Sequence, residues 1–162
     1  MRILIKMMKV YKFSSKFFDT QLGSLYSTGS SNEYWLTSLG KSNEAILTAF
    51  IMGERAEALT IKTNTEIISD LLADLDRLFA NQATANFVDA LVQDWTKEPF
   101  IRGAYSYPVV GGGLSMRQKL ASPIDGRIFF AGEATHTTGH SATVHGAIET
   151  GFRAADELLK SV

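Results

Sequence analysis

Residues 127–159 read RIFFAGEATHTTGHSATVHGAIETGFRAADELL: an apolar run, a loop dotted with glycine, histidine and threonine, and then a long stretch of helical periodicity. From Thr143 onward, Val144, Ile148, Gly151, Ala155 and Leu158 recur at three- and four-residue steps, while Glu149 with Arg153 and Asp156 with Lys160 stand as i,i+4 acid-to-base pairs. The spacing predicts one helix with a packed apolar side and a wet charged side. Gly146 and Gly151 fall inside it, and a glycine there costs about 1 kcal/mol relative to alanine. Something must therefore come close to this backbone. Ile128 to Phe130 reads as a strand ending before Gly132. Strand, small-residue loop and helix N-terminus together make a corner suited to a phosphate or carbonyl oxygen, because the first helical N–H groups lack intrahelical partners.

Upstream, alternation over residues 3–13 puts Ile5, Met7, Lys9, Tyr11 and Phe13 on one side of a strand. Short strands are expected at Ser24 to Tyr26 and Glu33 to Leu36, between serine- and glycine-rich turns. The continuous apolar run Ala45 to Met52 predicts a buried strand. Thr63-Asn-Thr-Glu66 has the spacing of a capping box, and Ile67, Leu71, Leu75 and Leu78 follow at helical intervals, so a helix is expected over 63–79. Asn86 to Trp95 carries both periods and is read as a strand. The fold class is α/β or α+β: a mixed sheet over residues 1 to 110, the middle helix against it, and a terminal strand, loop and helix.

With 162 residues, 45% of them hydrophobic, the chain can bury a core. A formal net charge of −1, with both signs scattered, gives no basis for a nucleic-acid or polybasic membrane surface. The absence of cysteine removes disulfides, thiolate catalysis and zinc–thiolate sites, and with the lysine-broken N-terminus MRILIKMMKVYKF, which is no signal peptide or membrane span, it sets the expectation of a reducing, cytoplasmic setting. Trp95, Phe100, Tyr105 and Tyr107 read on their own as core aromatics, and Lys6, Lys9 and Lys12 as solvated strand residues. His136, His140 and His145 lack a matching acidic or cysteine frame, so no metal site is expected.

Two motifs carry a family resemblance. Phe130-Ala-Gly-Glu-Ala-Thr135 followed by Thr143-Val-His-Gly-Ala-Ile-Glu-Thr-Gly-Phe-Arg-Ala-Ala155 resembles the C-terminal flavin-binding segment of the flavin-containing amine oxidases, the family of monoamine and polyamine oxidases and the flavin-type lysine demethylases. Trp95 through Glu98-Pro99-Phe100 and Arg102-Gly-Ala-Tyr-Ser-Tyr107 resemble the same family's upstream aromatic segment. The likeness is strong from Trp95 to Leu159 and weak over the whole chain.

The resemblance implies a cofactor, FAD, and a set of site residues. Gly132, Glu133, Ala142, Thr143, Val144 and Trp95 match cofactor-binding positions, Glu133 beside the ribityl region and the helix start at the pyrimidine end of the isoalloxazine. Lys9, Trp95 and Tyr105 match catalytic positions: Lys9, in Lys9-Val10-Tyr11, the lysine that holds a water near flavin N5, and the two aromatics beside the flavin face and amine. Thr143 stands where monoamine oxidases carry a second aromatic. The implied chemistry is oxidation of an amine C–N bond by hydride transfer to flavin N5, with imine hydrolysis and reoxidation by dioxygen.

The family's opening G-x-G-x-x-G is not in this sequence, and Gly111-Gly112-Gly113 reads as a loop. The implied organisation is a partial substrate-binding domain over 1–115 and the C-terminal strand and helix of the FAD domain over 116–162. FAD would then be held only with an N-terminal FAD-binding half, through a partner chain or self-association, around a small-molecule amine and dioxygen. Two alternatives remain open: an L-amino-acid oxidase or other flavin oxidoreductase fragment, for which Arg102 would be the carboxylate clamp, and a non-catalytic binding module.

Overall fold

The computed structural model describes the backbone of residues 2–3, 6–19, 21, 23–38 and 44–161, and the side chains of that set from Val10 onward. The chain forms two compact units: Ile5–Gly103, and Met1–Leu4 with Ala104–Val162.

The unit Ile5–Gly103 is built on β2 (Lys6–Phe13), β3 (Ser24–Tyr26), β4 (Glu33–Leu36), β5 (Ala45–Met52) and β6 (Phe87–Asp94), in the order β3-β4-β5-β2-β6. All pairings are antiparallel, β2 running beside β5 from Lys6↔Met52 to Phe13↔Ala45. This corrects the mixed sheet expected from sequence. β5 and β6 do run parallel to each other across a helical connection, but β2 lies between them and pairs antiparallel with both. The connection holds α1 (Gly53–Leu59), α2 (Asn64–Leu78) and α3 (Gln82–Asn86).

α2 starts where the capping box puts it: the Thr63 hydroxyl accepts the Glu66 N–H at 3.3 Å, and Glu66 accepts the Thr63 N–H at 2.8 Å. Its Ile67, Leu71 and Leu75 bury against Tyr11, Phe13, Tyr34, Leu47 and Ile51 of the sheet in one core. Each such side chain contributes about 1.5–3 kcal/mol on burial. The Tyr11 and Tyr34 hydroxyls are buried with no acceptor among the described residues, and burial pushes both phenols far above their ordinary range.

In the other unit β1 (Arg2–Ile3) pairs with β7 (Ser106–Tyr107), followed by α4 (Leu114–Ala121), a 3-10 turn (Glu133–Thr135) and α5 (Val144–Lys160). α5 begins as expected, with Thr143 extended and its hydroxyl accepting the Gly146 N–H at 3.0 Å. Three expectations are corrected here. The strand over Ile128–Phe130 does not form, because its only pairing among the described residues is a bridge from Ile128 to Ile124 across a turn. The apolar side of α5 is not packed: only Gly146 and Thr150 are buried, and Val144 (80%), Ile148 and Phe152 (70%) are exposed. Glu149 and Arg153 also do not pair with each other. Glu149 is held by two histidines, and Arg153 reaches the carbonyls of Thr135 (2.9 Å) and Phe130 (2.5 Å) and the Glu157 carboxylate (3.3 Å). Exposed side chains can swing to better partners, and free backbone carbonyls are among them.

Candidate functional site

Glu133 is the centre from which the corner in the second unit is built. Its carboxylate accepts the Ser106 N–H at 2.8 Å, the Ser106 hydroxyl at 2.7 Å and the Ala142 N–H at 2.8 Å. Buried Arg117 of α4 stands 4.0 Å away and donates to the Ser106 hydroxyl and the Ala134 carbonyl, each at 3.0 Å. One carboxylate thus ties β7, α4 and the loop before α5 together. Three hydrogen bonds, with a buried guanidinium beside them, fix the carboxylate's orientation. Ser106 lies within the Arg102–Tyr107 motif, but nothing in that motif points to a bond with Glu133, and Arg117 sits in no recognisable motif.

Gly132, at φ 123°, donates its N–H to the Thr150 hydroxyl at 2.9 Å, and its carbonyl accepts the Thr135 hydroxyl at 2.9 Å. The turn is thereby fastened to the second turn of α5. A Cβ at Gly146 would lie 1.9 Å from the His140 carbonyl oxygen, which also accepts the Thr143 hydroxyl at 2.6 Å. The close neighbour that the sequence demanded at Gly146 is therefore the loop's own backbone. A Cβ at Gly151 would meet nothing within 4 Å.

At the start of α5, Thr143 takes the N–H of Gly146 on its hydroxyl and that of Ala147, at 3.1 Å, on its carbonyl. The N–H groups of Val144 and His145 have no protein acceptor among the described residues, and Val144 is exposed. Two free donors on a seventeen-residue helix, with its dipole behind them, suit an oxygen or ring nitrogen that gains negative charge. Ala142, at φ 64°, precedes this tip and is fixed by Glu133.

The histidines form a second cluster. His136 is buried, and its Nδ1 accepts the N–H groups of Thr138 at 3.3 Å and His140 at 3.1 Å. An Nδ1 that accepts leaves the ring hydrogen on Nε2, which donates to Glu149 at 2.6 Å. His140 Nδ1 lies 3.1 Å from the same carboxylate, and bonds from His140 and then His136 hold Glu149 below the usual carboxylate range. The three donor atoms gather within 4.8 Å, the geometry of a cation site, yet His136 turns a hydrogen rather than a lone pair towards its centre. The cluster borders an open cleft of about 230 Å³ that Arg153 also lines.

Of the residues singled out by sequence, Gly132, Glu133, Ala142, Thr143 and Val144 come together at this corner, and half-buried Tyr105 precedes Ser106, which Glu133 holds. Lys9 and Trp95 belong to the other unit. Lys9 occupies β2 opposite Ala49 of β5 and Val92 of β6, and its side chain lies outside the described residues. Trp95 directly follows β6, half-buried, and its carbonyl accepts the Gly103 N–H at 2.8 Å, closing the loop that carries fully exposed Phe100.

The fold and the segment that carries this corner both have counterparts among known proteins. Residues 10–159 match the family described as flavin containing amine oxidoreductase, and the chain belongs to it. The family's cofactor is FAD. The chain is 35% identical over 117 residues to the histone demethylase-like protein A of Aspergillus fumigatus, covering 72% of this chain and 11% of the relative. It is 37% identical over 121 residues to the human peroxisomal N(1)-acetyl-spermine/spermidine oxidase, covering 70% of this chain and 24% of that protein. The solved structure of putrescine oxidase bound to putrescine superimposes with a TM-score of 0.81 at 22% identity, over 98% of this chain and 36% of the other. The chain thus spans a quarter or less of these two curated relatives' length.

Proposed function

We propose that this chain supplies the amine-facing sheet and the flavin-facing corner of an FAD-dependent amine oxidase acting on a primary or secondary amine of the polyamine or monoamine kind. The observation that carries the reading is the pair of free N–H groups, Val144 and His145, at the N-terminus of α5, in a corner braced by Glu133. FAD, when bound, supplies the two-electron acceptor for the amine C–N bond. The α5 tip would stabilise negative charge developing on the bound flavin through those donors and the helix dipole. Gly132 and Glu133 would help to hold the cofactor at this corner. Trp95 and Tyr105 would each offer an aromatic face, a surface that excludes water, favours a neutral amine nitrogen and still attracts a distal cation. Lys9 would be the lysine that holds a water for the reaction. Arg102, the clamp that an amino-acid oxidase would need, donates its Nε–H to the Pro99 carbonyl at 3.2 Å.

FAD retention also requires a dinucleotide-binding half, on the same or another polypeptide, in the reducing setting of the cytoplasm. Two observations support this: the sequence contains no G-x-G-x-x-G, and the apolar side of α5 is uncovered, a surface such a half would bury. The test is to combine the full chain with the dinucleotide-binding half of a relative, then measure flavin content after gel filtration and amine-dependent peroxide release. Retained flavin and peroxide with a diamine or acetylated polyamine are expected, with less flavin in Glu133→Ala. A complex that forms but retains no flavin overturns the reading, and so does stoichiometric flavin on the chain alone.

A further inference from the structure

We propose that His136 is a positioning residue for the α5 corner, a latch that works only while its ring is neutral with the hydrogen on Nε2. It deepens the function proposed above and rests on that reading where flavin is concerned. The geometry is directional. Nδ1 accepts two backbone N–H groups, those of Thr138 and His140, and so folds the loop 136–140 around the ring. The carbonyl of His140 then accepts the Thr143 hydroxyl at 2.6 Å and sits on Gly146, where no Cβ fits. His136 therefore sets the placement of the cap residue of α5, and with it the free N–H groups of Val144 and His145. Glu149, one turn further along the helix, accepts from Nε2 at 2.6 Å and fixes which nitrogen carries the hydrogen, the role a carboxylate plays beside many functional histidines.

A ring in this setting cannot take a second proton without loss. Protonation at Nδ1 would aim N–H at N–H twice, and the loop would have to open. The groups facing the ring are the Glu149 carboxylate and His140, whose ring stacks on it at 5.2 Å. His145 in turn packs edge-on against His140 at 4.6 Å, and Arg153 lines the same cleft. His140, half exposed beside Glu149, makes no backbone bond through its ring among the described residues. The paired histidines differ in this respect: the Nδ1 of His136 is committed to two backbone N–H groups, and that of His140 faces the Glu149 carboxylate. The same argument distinguishes the latch from a metal site, since a cation would need the Nε2 lone pair and would strip the two backbone bonds from Nδ1.

The experiment is imidazole and amide NMR on the isotopically labelled full chain. The expected result is the Nε2–H tautomer for His136 at neutral pH, unaffected by Zn²⁺. Loss of the Thr138 and His140 amide protection should follow as the ring protonates. His136→Asn, whose side-chain oxygen can take the place of Nδ1, should keep those amides protected, and His136→Phe should speed their exchange about tenfold, the effect of one lost net hydrogen bond. In the complex with a dinucleotide-binding half, His136→Phe should lower flavin retention and His136→Asn should restore it. An Nδ1–H tautomer, a Zn²⁺-induced shift of the ring nitrogens, or exchange rates equal in the two variants would overturn the latch. Loop amides that respond as stated while flavin content stays constant would instead leave the latch standing and remove its link to flavin.

Discussion

The two units of this chain spend their apolar residues in opposite ways. In Ile5–Gly103 the amphipathic helix α2 lays Ile67, Leu71 and Leu75 into a core shared with Tyr11, Tyr34 and Ile51, all of them nearly or wholly inaccessible. In the other unit α5 is equally amphipathic, but Val144, Ile148 and Phe152 are open to solvent, and the unit is organised by polar contacts: Glu133 on Ser106 and Ala142, Arg117 on Ala134, Arg153 on Phe130 and Thr135. The first helix is explained by the sheet beneath it, the second by what it holds at its tip. An apolar stripe therefore tells that a helix will be covered, without telling by what.

The contrast can be broken most sharply in the core. Leu71→Ala or Leu75→Ala should destabilise Ile5–Gly103 by about 2–5 kcal/mol, the cost of a large-to-small change at a buried site. Trp35 and Trp95 both belong to that unit, so urea denaturation followed by tryptophan fluorescence reads it directly. Phe152→Ser on α5 should move the same transition by less than about 0.5 kcal/mol, as exposed substitutions do. A large shift would mean the stripe is covered within the chain after all.

The next effect separates the two glycines of α5. Gly146→Ala drives a methyl against the His140 carbonyl and should cost about 1–3 kcal/mol through strain and displacement of the loop. Gly151→Ala has open space and should stabilise the helix by up to about 1 kcal/mol. Thermal melts monitored by circular dichroism would compare them, and equal losses would refute the distinction. Thr63→Ala, which removes the cap of α2, should cost about 1 kcal/mol in the fluorescence transition, with no loss refuting the capping box.

The smallest effect is in acid. Glu66, bonded to the Thr63 N–H and hydroxyl, and Glu149, bonded to His140 and His136, both have carboxyls held below the ordinary value of 4.5. A depressed folded pKa contributes stability that is fully present above the unfolded pKa and lost as pH falls through the folded one. Stability should therefore decline on acidification below about pH 4.5, and Glu66→Gln should flatten that decline for the tryptophan-bearing unit. An unchanged slope would show that the capping box contributes nothing there.

Much of this was legible in the sequence, for reasons that can be named. Strict alternation at Tyr11, Lys12 and Phe13, the apolar run of β5 and the Thr63–Glu66 box each encode local geometry, and the segments formed where they indicated. The family was legible because glycine, glutamate and threonine recur at fixed spacing around Gly132 and Thr143. α1 and α4 were not foreseen because neither has a side-chain cap at its N-terminus, Met52 and Gly113 standing there. The sheet's uniform antiparallel pairing was hidden because a strand–helix–strand order is compatible with β2 slipping between β5 and β6. The polar frame around Glu133 was hidden too: Ser106, Arg117 and Ala142 lie far apart in sequence, and only the folded chain brings them to one carboxylate.

The central claim is that the tip of α5 presents its first N–H groups to a flavin. Hydrogen exchange at Val144 and His145, measured on the full chain in complex with a dinucleotide-binding half, with and without FAD, tests it most directly. The account predicts that both amides exchange more slowly when FAD is bound, while amides in α2 do not change. Exchange at Val144 and His145 that is the same with flavin retained in the complex would contradict it.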